Sequence, residues 1–271
     1  MDRTSNINDF VVTYLTCWAD AMKNLGDAEA RKKLYRSGIY NGEKDCKGWT
    51  DFHLKEILYP LAEKTGYKSK ACKDCEYDCK VIGNREKSCE YNRLWSKEFY
   101  RLDIAFYNYR GQPYHWGLDY AVEHENTEFR MKEEDGKVTV HRGGWLNEFL
   151  KLLPLNCSKA RVIIGYDNFD EDEWEMKQEY LLGVLCDRAV KETLVDKPII
   201  LILGPDCEYL DKTKEEEDLC FRVKLITKVQ NGWVFGDVAG PKDSGCLLEG
   251  NDKYKAVRDD LCKIFAEIRN K

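Results

Sequence analysis

Hydrophobic residues in the first hundred positions recur three or four residues apart, which is typical of helices. The segment NDFVVTYLTCWADAMKNLG, residues 8–26, carries its apolar side chains on one helical stripe and ends at a glycine. A second helix is predicted over residues 27–38, and a third from Thr50, a residue type favoured at helix N-caps, to Gly66. Pro60 lies inside the third helix, so we expect a kink or an early end there.

The pattern changes after residue 100, where hydrophobic and polar residues alternate as they do in strands. Both YRLDIAFYN, residues 100–108, and HWGLDYAVEHEN, residues 115–126, alternate in this way. The segment between them, NYRGQPYH, contains glycine and proline and favours a turn. We therefore predict that the two strands form an antiparallel hairpin.

The remaining pattern alternates between helices and short apolar runs. Helices are predicted over residues 143–155, 170–194 and 253–271, buried strands over residues 160–169 and 197–206, and a hairpin over residues 221–238. This order predicts an α/β protein with a central mixed sheet flanked by helices. We expect a single domain, in which residues 99–271 form the core and residues 1–98 a helical N-terminal extension.

Three carboxylates of the predicted hairpin converge on one candidate site. Glu123 and Glu125 are two residues apart on a strand and therefore point to the same face, while His124 points to the opposite, apolar face. Asp103 lies on the polar face of the neighbouring strand. Because close carboxylates raise one another's pKa, a divalent cation would relieve their repulsion, and Mg²⁺ and Mn²⁺ prefer such oxygen ligands.

This site depends on the register of the hairpin. A hairpin symmetric about Gly111 would place Asp103 opposite Asp119, so an asymmetric loop or a bulge is needed to bring Asp103 to Glu123, or Asp119 takes part itself. The other interpretation is that these carboxylates are solvated residues on the open face of an edge hairpin. Lys151 and Lys159 follow the site strand and can meet a phosphate there, although lysines at such positions are more often solvated.

Asp103 and the Glu123-His124-Glu125 run, followed by an amphipathic helix and an apolar strand, resemble the PD-(D/E)XK nuclease superfamily over residues 50–170. The resemblance implies a restriction-endonuclease-like core and metal-dependent hydrolysis of nucleic acid, DNA being the expected substrate. It also implies that Asp103, Glu123 and Glu125 are catalytic residues that bind Mg²⁺ or Mn²⁺.

Two features depart from the family pattern. Glu125 stands where the family usually has lysine, an E-x-E form in which water activation would rest on the metal and on Glu125. Leu102, and not proline, precedes Asp103. The glutamate that many members carry on the first helix corresponds to Glu56 or Glu63.

A cysteine-rich segment, residues 67–90, precedes the predicted core. Four thiolates within one irregular segment can hold a tetrahedral zinc ion, and the candidates are Cys72, Cys75, Cys79 and Cys89. Some relatives of the nuclease superfamily carry an iron–sulfur cluster, but their cysteines bracket the core, so zinc is the favoured metal here. Free surface thiols are the other interpretation.

Composition bears on the expected partners and on the cellular location. The net charge of −6 argues against nucleic-acid binding by bulk charge, although it leaves room for a local basic groove. No apolar run reaches the length of a membrane span, and the first ten residues lack the apolar core of a signal peptide, so we expect a cytoplasmic protein with no membrane partner. The oligomeric state stays open, with a homodimer as one expectation.

Two functions follow from these observations. The first is a metal-dependent, nuclease-like phosphodiesterase. The second is a non-catalytic binding protein on the same scaffold, stabilised by a cysteine-bound zinc ion; the acidic net charge and the missing lysine support it.

Overall fold

A computed structural model describes most of the chain: residues 3–40, 45–66, 81–83, 103–109, 116–135, 137–141, 143–187, 196–230 and 232–269. All four cysteines of the predicted zinc site lie outside these residues, as do residues 110–115 of the turn predicted between the two hairpin strands; its first two residues, Asn108 and Tyr109, are extended. The zinc site therefore stays a prediction.

The N-terminal part of the chain is helical, as the apolar spacing predicts. Its helices are α1 (Arg3–Asn24), α2 (Ala28–Ser37), α3 (Asp45–Phe52) and α4 (Tyr59–Lys64). Helix α2 has the predicted boundaries because Asp27 accepts a hydrogen bond from the Ala30 amide at its start, while Gly38 adopts a left-handed conformation (φ 62°) at its end.

The third predicted helix begins earlier than expected and passes Pro60 without ending. It starts at Asp45, so the predicted N-cap at Thr50 is wrong; Trp49 is buried and extends the apolar stripe upstream. A π-helical segment, His53–Leu58, connects α3 to α4. Within it the amide of Tyr59 donates to the carbonyl of Leu54, five residues back, and this wider turn accommodates the proline that follows.

The strands form one large mixed sheet and a separate hairpin. They are β1 (Val81–Gly83), β2 (Ile104–Tyr109), β3 (Trp116–His124), β4 (Arg130–Glu134), β5 (Lys137–His141), β6 (Ala160–Asp167), β7 (Ile199–Pro205), β8 (Arg222–Val229) and β9 (Gly232–Ala239). The sheet order is β1-β2-β3-β6-β7-β8-β9, and β4 pairs only with β5. Strands β3, β6 and β7 are parallel, and the other neighbours are antiparallel. The predicted mixed sheet is confirmed.

Helices cover both faces of this sheet. They include α5 (Trp145–Leu152), α6 (Glu171–Cys186), the short α7 (Cys207–Lys212) and α8 (Asp252–Ile268), with a 3₁₀ turn at Glu216–Asp218. One core layer packs α1–α4 and α8 against the sheet, and the other packs α5 and α6 against the opposite face. Every residue of β6 and β7 is buried, as their continuous apolar runs predict.

Two strand regions were not predicted. Strand β1 lies in the segment interpreted as irregular, and its three residues are too few to show a period. The β4–β5 hairpin turns at Asp135, which has a positive φ of 53° and is followed in the sequence by Gly136. This Asp-Gly pair is a hairpin signal that marks the turn. In the described part of the chain no helix is both long and apolar enough to cross a membrane.

Candidate active site

The register of β2 and β3 brings Asp103 to Glu123. A bulge shifts the pairing of these strands by one residue, and beyond it Ile104 pairs with Val122. Asp103, the residue before β2, therefore lies next to Glu123. The asymmetric register that the predicted site required is present.

Asp119 lies at the bulge and is engaged elsewhere. Its buried carboxylate accepts a hydrogen bond from the Ser158 hydroxyl and lies 3.9 Å from the Lys159 ammonium. Lys159 is thus paired with a carboxylate and is not a fully solvated lysine. Both partners precede β6, so these contacts hold Asp119 at the start of that strand, whereas Glu123 lies towards its other end, opposite Ile163.

Asp103 is held by the backbone of β3. The amide of His124 donates a hydrogen bond to Asp103 Oδ2 at 2.9 Å. Only 2% of the Glu123 side chain is exposed. Two acidic side chains from adjacent strands therefore meet in a largely desolvated position.

Lys151 completes this group from helix α5. Its ammonium lies 2.6 Å from Glu123 Oε1 and 3.0 Å from Glu148 Oε2. Helix α5 covers this face of the sheet because its buried residues, Trp145, Leu146, Phe149 and Leu152, form an amphipathic stripe. Lys151 lies next to this stripe and reaches the sheet with its ammonium group. Lys151 is therefore paired with carboxylates, and a contact with phosphate stays a prediction.

Burial and mutual repulsion disturb the ionisation of the acidic pair. Burial, and then the charge of Asp103, raise the pKa of Glu123 to about 10, while Lys151 opposes this rise. Burial also raises the pKa of Asp103, against the hydrogen bond from the His124 amide. Burial alone would lower the pKa of Lys151, but its contacts with Glu123 and Glu148 raise it. The pair therefore retains a proton unless a cation compensates both charges.

Glu125 lies beyond the last residue of β3. Its carboxylate accepts a hydrogen bond from the Thr127 amide at 2.9 Å, and its own amide donates to the carbonyl of Ile164. Among the residues that the structure describes, no group of three or more His, Cys, Asp and Glu side chains is arranged to hold a metal ion. Asp103 and Glu123 are together as predicted, and the participation of Glu125 stays a prediction.

The two candidate helix glutamates lie on different N-terminal segments. Glu56, in the π-helical segment, accepts a hydrogen bond from the Tyr40 hydroxyl at 2.6 Å. Glu63 is exposed on α4. A role for either residue at the site stays a prediction.

His124 faces away from the carboxylates, as its position between them predicts. Its ring stacks on His53 with 3.8 Å between the centroids, next to Trp49 and Tyr166. Burial lowers the pKa of His124 to about 3 and holds the pKa of His53 well below its usual value. Both rings are therefore neutral near pH 7, and His124 is a core residue.

A second charged group, which the sequence analysis missed, lies at the end of β6. The Lys177 ammonium is fully buried and lies 2.8 Å from Asp167, 3.4 Å from Glu128 and 3.3 Å from Glu173. Lys177 precedes the buried Leu181 and Leu185 at four-residue spacing, so a lysine on an apolar stripe was the available signal. Because Glu173 also accepts from the Met131 amide, this group ties the β4–β5 hairpin to α6.

Comparisons with protein-family models, curated proteins and solved structures find no match to this chain. The function is therefore argued from the site and the fold.

Proposed function

We propose that this protein is a metal-dependent nuclease that hydrolyses phosphodiester bonds in nucleic acid, DNA being the expected substrate. Asp103 and Glu123 would hold Mg²⁺ or Mn²⁺. The observation that carries the proposal is the meeting of the buried Glu123 and the half-buried Asp103 with the Lys151 ammonium at one point of the sheet.

The acidic pair fits a hard divalent cation. Its donors are carboxylate oxygens, and burial raises the pKa of both groups, which a nearby cation would lower again. When bound, such an ion supplies an activated water and stabilises negative charge on the phosphate. The cation would take the place of the proton that the pair otherwise keeps.

Lys151 offers the positive charge that the sequence pattern lacks at position 125. Its ammonium lies 2.6 Å from the carboxyl group of Glu123, and 24% of the Lys151 side chain is exposed. A fixed ammonium at this position can orient a phosphate oxygen or stabilise the charge that develops on it. The lysine of the resembled family would thus be replaced in space by a residue from the following helix.

The order of elements also supports the proposal. The N-terminal helices are followed by three antiparallel strands, β1 to β3, and then, after the inserted β4–β5 hairpin, by α5 and the parallel strand β6. This is the order that the resemblance to the PD-(D/E)XK superfamily implies for its core.

One observation favours the second function, a non-catalytic binding protein. The Lys151 ion pair already compensates part of the charge on Glu123, and the Glu125 carboxylate is occupied by the Thr127 amide. In that case the acidic pair and Lys151 would be a buried structural ion pair. The predicted cysteine-bound zinc belongs to this alternative as well, and metal analysis of the folded protein tests it: protein free of zinc and iron would contradict it.

Metal binding and cleavage separate the two functions. We expect the wild type to bind Mn²⁺ in calorimetric titrations and to cleave DNA, and Glu123→Gln to lose at least about 100-fold in cleavage, beyond the loss typical of an outer-shell partner. Glu125→Gln is the matched comparison: an equal loss would assign Glu125 to the site. A wild type that neither binds Mg²⁺ or Mn²⁺ nor cleaves DNA or RNA would refute the nuclease.

A further inference from the structure

A cavity of about 280 Å³ lies at the carboxyl ends of β6 and β7, on the face of the sheet opposite Glu123. Its lining includes Tyr166 at the end of β6, Asp206 and Cys207 after β7, and Asn126 shortly after β3. Ligands of open α/β sheets commonly bind outside the carboxyl ends of the strands. The volume lies near the lower end of the range for small-molecule sites, about 300–1,000 Å³.

Three aromatic rings form one side of this cavity. Tyr35, Trp49 and Tyr166 contact one another with centroids 5.4 to 5.8 Å apart. At this separation the rings pack directly together and leave no space between them for an organic cation. They therefore make a continuous apolar wall, and a flat aromatic ring can lie against such a wall.

The polar groups of the lining differ in whether they are already engaged: the Arg36 guanidinium, for example, donates to the Asp211 carboxylate. The Tyr35 hydroxyl donates to the carbonyl of Pro205, and the Tyr166 hydroxyl lies 3.4 Å from His53 Nε2. By contrast, Asn126 Oδ1 is buried and has no hydrogen-bond partner among the described residues. Asp206 uses Oδ1 to accept from the Tyr209 amide, and a carboxylate has a second oxygen that can accept.

We infer that this cavity binds a single nucleobase that carries an exocyclic amino group, with the base against the aromatic wall and its amino group donating to Asn126. Cytosine and guanine present such donors, whereas uracil and hypoxanthine lack them. The base can belong to a single strand at the proposed nuclease site or to a free nucleoside. The first source rests on the proposed function, and the second does not.

Cys207 provides a test in the unmodified protein. It lines the cavity and is partly accessible, whereas Cys186 is exposed on α6 and serves as an internal control. The rate of alkylation by N-ethylmaleimide would be followed at both cysteines by peptide mass spectrometry. We expect cytidine and guanosine to protect Cys207 at concentrations about tenfold lower than uridine and inosine, respectively, with Cys186 unchanged.

Two variants sharpen the test. Asn126→Ala should raise the protecting concentration of cytidine about tenfold, whereas Asn24→Ala, which changes an exposed asparagine on α1, should leave it unchanged. Decamers of deoxycytidine and deoxythymidine distinguish the sources: protection by the deoxycytidine decamer alone supports a strand, and protection by free nucleosides alone supports a nucleoside.

The inference is overturned if no nucleoside or decamer protects Cys207, or if uridine and inosine protect as well as cytidine and guanosine. The readout needs neither a metal ion nor cleavage. A failure of the nuclease proposal would therefore leave the nucleoside result standing, and Glu123→Gln should keep full protection of Cys207.

Discussion

The two faces of β3 at its carboxyl end carry opposite chemistry on adjacent residues. On one face Glu123 lies among Asp103, Lys151 and Glu148, and burial keeps it short of compensating charge. On the other face His124 stacks on a second neutral histidine within an aromatic cluster. The comparison shows that two equally buried neighbours can carry opposite chemistry: the first face is acidic, whereas the second is neutral and aromatic.

Removing the aromatic support of the histidine face should have the largest effect on stability. Trp49 is 5% exposed and contacts five rings, including His53 and His124, so Trp49→Ala should lower the free energy of unfolding by about 3–5 kcal/mol. Urea denaturation measures this loss. Trp174→Ala replaces a partly exposed tryptophan of α6 and should lower the free energy of unfolding clearly less. An equal loss in the two variants would show that the histidine face is not especially dependent on its aromatic support.

On the carboxylate face, Lys151→Met should lower the rate of nucleic-acid cleavage by about 100-fold, because it removes the fixed ammonium beside Glu123. Lys159→Met is the control, since Lys159 contacts Asp119 and not Glu123. Steady-state cleavage assays and circular dichroism together show whether activity falls while the fold persists. Equal activity in both variants would reduce Lys151 to a structural partner.

Alkaline pH should weaken the carboxylate face. In the folded protein Glu123 keeps its proton up to about pH 10, whereas in the unfolded chain it loses the proton near its ordinary pKa. This contribution to stability is therefore complete below that ordinary pKa and falls as the pH rises towards 10, by at most about 1.4 kcal/mol per pH unit. In EDTA, the wild type should lose stability between about pH 7 and pH 9 faster than Glu123→Gln does. If both proteins lost stability equally over this pH range, the raised pKa of Glu123 would be contradicted. Added Mn²⁺ should make the stability of the wild type less dependent on pH.

Acidic pH should weaken the histidine face, with the smallest difference between proteins. Unfolded histidines take up protons below about pH 6.5, whereas folded His124 stays neutral down to about pH 3. Its contribution to stability is complete above pH 6.5 and is lost as the pH falls towards 3. His124→Phe should therefore match the wild type to within about 1 kcal/mol at neutral pH and lose less stability on acidification. Denaturation midpoints of both proteins, measured along a pH series, test this. If the two midpoints changed equally with pH, His124 would not contribute to the loss of stability.

Periodicity predicted most of the fold because the apolar faces of long elements repeat. It predicted both strands of the site hairpin, and the spacing of Glu123 and His124 correctly placed them on opposite faces. Alternation failed at the bulge, where Leu118 packs with the α5–α6 layer and Tyr120 with the opposite layer. A pattern of period two assigns both residues to one face. The unpaired residue between them can be identified only from the pairing of β3 with β2.

The charged partners were harder to predict than the elements. Lys151 and Lys177 most closely approach oxygens of Glu123 and Asp167, which lie on strands. Helical spacing indicates the partners on the same helix, Glu148 and Glu173, but gives no signal for these contacts between elements. Glu125 was assigned to the same face as Glu123 by assuming that β3 continues. The strand ends at His124, one residue before Glu125, so strand alternation does not determine where the Glu125 side chain points.

The hydrogen bond from the His124 amide to Asp103 has a consequence for mutagenesis. The donor belongs to the main chain, so replacing the imidazole by almost any other side chain leaves the bond intact. In an alanine scan, the effect at position 124 would therefore report only the packing of the imidazole in the core. It would not report the hydrogen bond from the backbone amide to the Asp103 carboxylate. Only proline, or an ester in place of the amide, removes the donor. Part of the proposed metal site is therefore encoded by the path of the backbone and is invisible to side-chain replacement.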